Sequence, residues 1–343
     1  MKIFCGVQGT GNGHITRARM LAQKFRSRGI SVDWMFTGRP KDLFFEMEIF
    51  GDWRWRKGLT FASHHGNVDY LRTLAGNDLP GFVRDIRNLD LKDYDLVITD
   101  FEPVTAWAAK RRGIKTIGIG HQYAFSQDIP IAGRDPLGRF ILKNFAPADV
   151  RLGIHWHHFN GPIIPPVIET QMDSSMRLAE KIIVYLPFEN IHDILALLKP
   201  FTSHSFHVYH PEAMNGPMNP PPHVQLKPLS RSGFQDDFRD CGGVICNAGF
   251  ELPSETMHMG KKLMVKPLLG QVEQRSNALA LGKLGLAQVM DSLDSAHIAQ
   301  WLHEETSQQL KFPDVAEFVV DWLMTQPGHV DESWARSIWT HCK

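Results

Sequence analysis

Residues 242–285 read GGVICNAGFELPSETMHMGKKLMVKPLLGQVEQRSNALALGKLG. An apolar run ends at Asn247, a turn passes through Gly249, and a helical pattern starts near Phe250 with Pro253 in its first turn and Gly260 as its stop. A second apolar run, KLMVKPL, follows at once, and a further helix opens around Glu273. Buried strands alternating with helices make a βαβ rhythm, which implies a parallel sheet covered by helices on both faces. In such a sheet the helix starting near Phe250 points its N-terminus beyond the carboxyl ends of the strands. Backbone N–H groups and the helix dipole there favour an anion such as a diphosphate.

The same rhythm extends outward in both directions. KIFCGV, a helix near residues 14–28 closed by Gly29, and ISVDWMF open the chain; DLVITD, a helix near 103–112 closed by Gly113, and KTIGIG continue it. KIIVYL, SFHVYH and HVQLKPL precede GGVICN in the second half. Between the two series, FNGPIIPPVIETQ is dense in proline and glycine and reads as an interdomain linker, while GPMNPPPH at 216–223 reads as a loop within the second domain. At 343 residues the chain suits two domains of roughly 150 residues each. The expected fold class is therefore α/β with two Rossmann-like domains facing across a cleft: residues 1–160, residues 161–325, and a last helix in 326–343. That helix carries Trp334, Ile338 and Trp339 at helical spacing and is expected to pack back near the first domain.

Composition restricts the class further. With 43% hydrophobic and 22% charged residues the chain is globular rather than disordered. Cys5, Cys241, Cys246 and Cys342 form no C-x-x-C pair, so neither a zinc cluster nor a disulfide framework is indicated and a reducing cytoplasm is expected. No signal peptide and no membrane span is read in the sequence. Net charge is zero, yet residues 1–160 hold 23 Lys/Arg against 16 Asp/Glu and the remainder hold 14 against 21. A basic first half favours an anionic acceptor or anionic lipid headgroups at a membrane's inner face; the alternative is two halves that attract each other across a cleft.

The chemistry-bearing residues cluster at the predicted strand ends. Glu255 lies about one turn into the helix from Phe250, where a carboxylate can accept hydrogen bonds from a vicinal diol; the alternative is a solvated helix residue. Glu273, Gln274 and Asn277 offer acceptors and donors to a polyhydroxylated ligand, or cap their helix. In the first half, Gly9, Gly11 and Gly13 alternate and are followed by His14. A dinucleotide-binding turn would read G-x-G-x-x-G with an acid ending the second strand, whereas this strand ends in Phe36-Thr37-Gly38-Arg39. An imidazole, with a pKa of about 6.5, suits proton removal at neutral pH; otherwise His14 caps its helix. DLVITDFEP puts Asp100 and Glu102 at a strand's carboxyl end, placed either to orient His14 or to cap the helix at Pro103. His121 and Gln122 end the next strand.

The order N-x-G-F-E-x-x-S-E followed by E-Q-x-x-N-A, over about 45 residues, resembles the donor-binding region of GT-B glycosyltransferases. The resemblance is notably to the UDP-glycosyltransferases and to the bacterial enzyme that adds N-acetylglucosamine to lipid-linked muramyl peptide. The resemblance implies that Gly249, with Asn247, Ala248, Phe250 and Ser254, lies around the donor diphosphate. Glu255 then holds the ribose hydroxyls, and Glu273 and Gln274, with Asn277 nearby, contact the donor sugar. Gly11 and Gly13 face the donor across the cleft, His14 is the general base, and His121 and Gln122 belong to the acceptor side. Two positions depart from the pattern: Asn247 replaces a basic residue or histidine, and Glu251 puts an acid where Asn or Thr is common. An acid beside a diphosphate is unfavourable unless it points away.

The resemblance thus implies an inverting, metal-independent transferase moving a sugar from a nucleotide sugar, such as a UDP-sugar, to a hydroxyl acceptor that the sequence does not identify; the basic charge of the first half is compatible with a lipid-linked or anionic one. No cofactor and no nucleic-acid partner is expected. A non-hydrolysing sugar-nucleotide 2-epimerase, a non-catalytic nucleotide-sugar binding protein and an NADP oxidoreductase using Arg39 are the competing readings. His155 and His157 in HWHHF lack a third metal ligand and read as core or linker residues. Asp93-Tyr94-Asp95 reads as a turn cap rather than a metal-binding D-x-D, and DWRWRKG as an amphipathic strand or a loop that binds acceptor or bilayer.

Overall fold

The computed structural model of the chain describes residues 1–60, 76–133, 136–171, 177–214, 218–304 and 309–343, with the backbone of 63–64 and 67–68. Two parallel sheets frame it. In the first, β1 (Ile3–Gln8) is central. On one side lie β2 (Val32–Thr37) and β3 (Arg54–Trp55); on the other lie β4 (Leu96–Asp100), β5 (Thr116–Gly120), β6 (Val150–Ile154) and β7 (Ile163–Ile164). In the second, β8 (Leu178–Tyr185) has β9 (Ser205–Tyr209) and β10 (Val224–Lys227) on one side, and β11 (Cys241–Asn247), β12 (Lys262–Lys266) and β13 (Gln288–Val289) on the other. Each sheet therefore reverses its winding once, at β1/β4 and at β8/β11. Ligands of open α/β sheets bind at the carboxyl ends of the strands beside such a reversal.

Register fixes what meets there. Val7 of β1 pairs with Asp100 of β4, and Tyr185 of β8 pairs with Cys246 of β11. The helix after β1, α1 (Asn12–Ser27), starts at an uncapped Gly11 and ends before Gly29, whose φ of 68° only glycine adopts without strain. It buries Ile15, Ala18, Leu21, Ala22 and Phe25. The helix after β4, α2 (Pro103–Arg112), has proline at its first position and a left-handed Gly113 at its end. In the second lobe, α3 (Glu251–His258) follows β11 and α4 (Val272–Lys283) follows β12. No helix among the described residues is long and apolar enough to cross a membrane.

Two segments depart from expectation. The proline-rich connection is not free chain: Ile163 and Ile164 join the first sheet as β7, and Val167 and Ile168 are buried, because four apolar side chains in one short stretch are more stable packed than solvated. The return toward the first lobe starts earlier than residue 326. Helix α5 (Val315–Thr325) already packs on α1, and Lys24 of α1 and Arg28 at its C-cap pair with Asp314, Glu317 and Asp321. Helix α6 (Glu332–Trp339) then lies against β7, with Trp339 Nε1 donating to the Ile163 carbonyl at 2.8 Å. Residues 216–217 of GPMNPPPH lie outside the described residues; the rest of it joins β9 to β10. In DWRWRKG, Arg54 and Trp55 form the edge strand β3.

Candidate active site

His14 stands in the first turn of α1, and Asp100 is the last residue of β4, so the β1/β4 pairing brings them together. Nδ1 of His14 lies 2.8 Å from Asp100 Oδ1. A carboxylate only accepts, so Nδ1 carries the hydrogen and Nε2 presents a lone pair. No described residue hydrogen-bonds Nε2, and the His14 side chain remains 14% exposed. Burial alone lowers the pKa of His14, but Asp100 outweighs it, and the net direction is upward from 6.5.

Asp100 is itself held by Arg17, one helical turn along α1. Arg17 Nε reaches Asp100 Oδ2 at 2.8 Å and Nη2 reaches Oδ1 at 2.7 Å. Burial pushes the Asp100 carboxyl up; the Arg17 guanidinium and His14 more than reverse this and keep it ionised. Arg17 Nη1 bonds Glu251, the first residue of α3 on the other lobe. Arg17 is 1% exposed, a buried guanidinium between two carboxylates. Gly13 belongs to the same contact: a Cβ there would collide with the Glu251 carboxylate. The glycine makes room for an acid from the second lobe. The Glu251 carboxylate is thus neutralised by the Arg17 guanidinium of the first lobe.

Glu102 does not join this group. Its oxygens accept from the Val104 and Thr105 amides at 2.8 and 2.6 Å and from Thr37 Oγ1 at 3.0 Å, so it caps α2. Of the two acids proposed to orient His14, Asp100 touches it and Glu102 is committed to a helix end.

Several residues assigned to ligands are instead occupied between the lobes. His121 bonds the Ile154 carbonyl through Nδ1 at 2.9 Å and Asn277 Oδ1 through Nε2 at 2.7 Å, while Asn277 Nδ2 donates to the Ala248 carbonyl. Gln122 Nε2 donates to Glu273 at 3.1 Å, and Gln274 accepts the Leu268 amide at 3.0 Å. Phe250 stacks with both His121 and Trp156, at centroid distances of 4.1 and 4.8 Å, and those two rings are themselves 5.9 Å apart. Trp156 Nε1 also donates to Ser254 Oγ at 2.7 Å. His155 is buried in the same aromatic layer, its Nδ1 accepting the Trp156 amide. The His121–Asn277, Gln122–Glu273 and Trp156–Ser254 bonds cross between the lobes, whereas the Gln274–Leu268 and Asn277–Ala248 bonds lie within the second. Neighbour pairing across 150 residues of sequence leaves no local signal.

Gly11 on the first lobe and Gly249, Asn247 and Glu255 on the second stay open. Gly11 and Gly249 have nothing within 4 Å of a Cβ position, so backbone on both sides of the crevice is approachable. Asn247, at the end of β11, donates to the Lys266 carbonyl, but its buried Oδ1 has no partner among the described residues. Glu255 is half-buried and no described residue hydrogen-bonds its carboxyl; burial, then the charges of Glu251 and Glu169, push that carboxyl up to about 8. A carboxyl in that condition lacks donors that a diol would supply. Two surface concavities, of about 620 Å³ beside Leu79–Asn88 and about 390 Å³ beside Phe25, Ile30 and Trp34, lie away from this crevice.

A family model described as glycosyl transferase family 1 matches residues 1–305. The chain belongs to glycosyl transferase family 1. No curated protein sequence matches it. Among solved structures, the spinosyn rhamnosyltransferase SpnG is similar over 99% of this chain and 100% of its own, with 12% identity and a TM-score of 0.59. The glycosyltransferase SnogD from Streptomyces nogalater shares 14% identity over 99% of both chains, with a TM-score of 0.53. MurG from Acinetobacter baumannii shares 14% identity over 99% of this chain and 94% of its own, with a TM-score of 0.51. At such identities the likeness is one of fold: the protein is a GT-B glycosyltransferase with two Rossmann-like domains. Arg17 and Trp156 were not legible as site residues in the sequence. The available signal for Arg17 was its position three residues after His14, within a helix face otherwise apolar.

Proposed function

We propose that this glycosyltransferase moves a sugar, with inversion, from a nucleoside-diphosphate sugar to a hydroxyl acceptor, and that His14 is the general base. The observation that carries the reading is the His14–Asp100 contact, which fixes the tautomer and leaves Nε2 of a partly exposed ring without a partner among the described residues. As the acceptor oxygen bonds to the anomeric carbon, Nε2 takes its proton, the bond from that carbon to the diphosphate oxygen breaks, and the electron pair leaves with the diphosphate. Attack opposite the leaving group inverts the anomeric centre. The uncapped N-terminus of α3 offers amides to the developing negative charge. Glu255 receives the ribose hydroxyls in this reading, which its unpartnered carboxyl supports.

SpnG has been solved with thymidine diphosphate and with its spinosyn aglycone, which supports a nucleoside-diphosphate donor for this fold. The donor motif favours a UDP-sugar here, and no divalent cation takes part in the proposed chemistry. The acceptor hydroxyl belongs to the first lobe, with a lipid-linked or anionic acceptor favoured by its basic charge. A thermal-shift panel of nucleoside diphosphates and their sugars tests the donor side, since a ligand bound only by the native state raises apparent stability with its affinity. H14A is expected to lose turnover by 10²–10⁴-fold, about the usual contribution of a general base, while keeping the nucleotide-induced shift. Undiminished turnover by H14A would remove His14 from the chemistry.

A further inference from the structure

Glu251 is the acid the proposed chemistry leaves without a role. It opens α3 on the second lobe, yet its carboxylate crosses to the first lobe, fills the space beside Gly13 and pairs with Arg17. Arg17 spends its other nitrogens on both oxygens of Asp100, and Asp100 holds His14. Imidazole, carboxylate, guanidinium and carboxylate thus form one buried line across the lobe boundary. We propose that Glu251 is a positioning residue that couples seating of the second lobe to the basicity of His14, so that the base reaches full strength only when the two lobes are in contact.

This rests on the reading of His14 as the base. The charged groups that face His14 are Asp100 from the end of β4, Arg17 from α1 itself and Glu251 from α3. With Glu251 in place they sum to one negative charge; without it Arg17 cancels Asp100. Arg17 Nη2 lies 3.1 Å from His14 Nδ1, and both atoms are donors here, so an unbalanced guanidinium opposes the imidazolium that proton uptake creates. In a buried, low-dielectric cluster such a difference is felt strongly. The acid that looks misplaced for diphosphate binding is thereby placed for the proton.

The test is an NMR titration of the imidazoles in the intact chain, the His14 resonance being the one absent from H14A. In E251Q, which keeps the shape and removes the charge, His14 is expected to titrate at lower pH than in the native chain. G13A, whose Cβ evicts the carboxylate while leaving Glu251 present, is expected to move it the same way, and E251D to stay closer to the native titration. Turnover in E251Q should fall about tenfold or more at its plateau, with its acidic limb displaced to lower pH in parallel. Native titration of His14 in both E251Q and G13A, with H14A inactive, overturns the coupling and leaves the base assignment standing. Turnover by H14A overturns both. Should E251Q not fold, G13A and E251D decide the matter alone.

Discussion

His14 lies between burial, which favours the neutral ring, and Asp100, which favours the charged one; Asp100 wins and the pKa moves up. A base acts only when unprotonated, so transfer should weaken as pH falls through that raised value. The acidic half-point of kcat/KM is therefore expected above 6.5, and a half-point below it would contradict the His14–Asp100 pairing as drawn. Glu255 moves in the same direction for a different reason, since burial without donors keeps its proton on until about pH 8. Hydrogen bonds from ribose hydroxyls favour its ionised form, so nucleotide binding near pH 7 should release a proton. Calorimetry in buffers of different ionisation enthalpy reads this directly. The folded pKa lies above the ordinary value of 4.5, so Glu255 costs stability progressively as pH rises from about 4.5 to about 8. E255Q should then melt higher than the native chain at pH 8, with the difference vanishing as pH falls below about 4.5, and bind nucleotide more weakly.

At the scale of elements, short sequence signals placed α1 and α2 closely. The helix expected near 14–28 runs Asn12–Ser27, and the one expected near 103–112 runs Pro103–Arg112, because glycine stops and a first-turn proline act locally. What the two acids after β4 do was open in the sequence, since an acid at a strand end and an acid before a helix are the same residues. Packing separates them: Asp100 is turned to α1, and Glu102 is turned to the amides of α2. E102A should lower stability by about 1–3 kcal/mol in urea denaturation, through a lost cap and buried donors left unpaired. The position of the His14 titration should not move in that variant; a moved titration would return Glu102 to the active site.

Across the whole molecule the lobes are joined by an aromatic layer, a buried charge line and a returning C-terminal segment. Trp156 is 2% exposed, stacks on Phe250 and donates to Ser254, so W156A should cost about 3–5 kcal/mol and broaden or split the melting transition. A single sharp transition at native temperature would show that the layer contributes little to lobe docking. The α/β class, the doubled arrangement and the glycine turn ending in His14 were legible in the chain itself. They depend on periodicity, on turn residues and on residue order, all of which are local. Which acid holds His14, why Gly13 has no side chain, and where Arg17, Glu251, Asn277 and Trp156 send their polar atoms were decided only by the tertiary structure. Each of those pairings joins residues brought together by strand order and lobe docking, and burial makes an unmet charge or donor costly enough that the fold, rather than the neighbouring sequence, selects its partner.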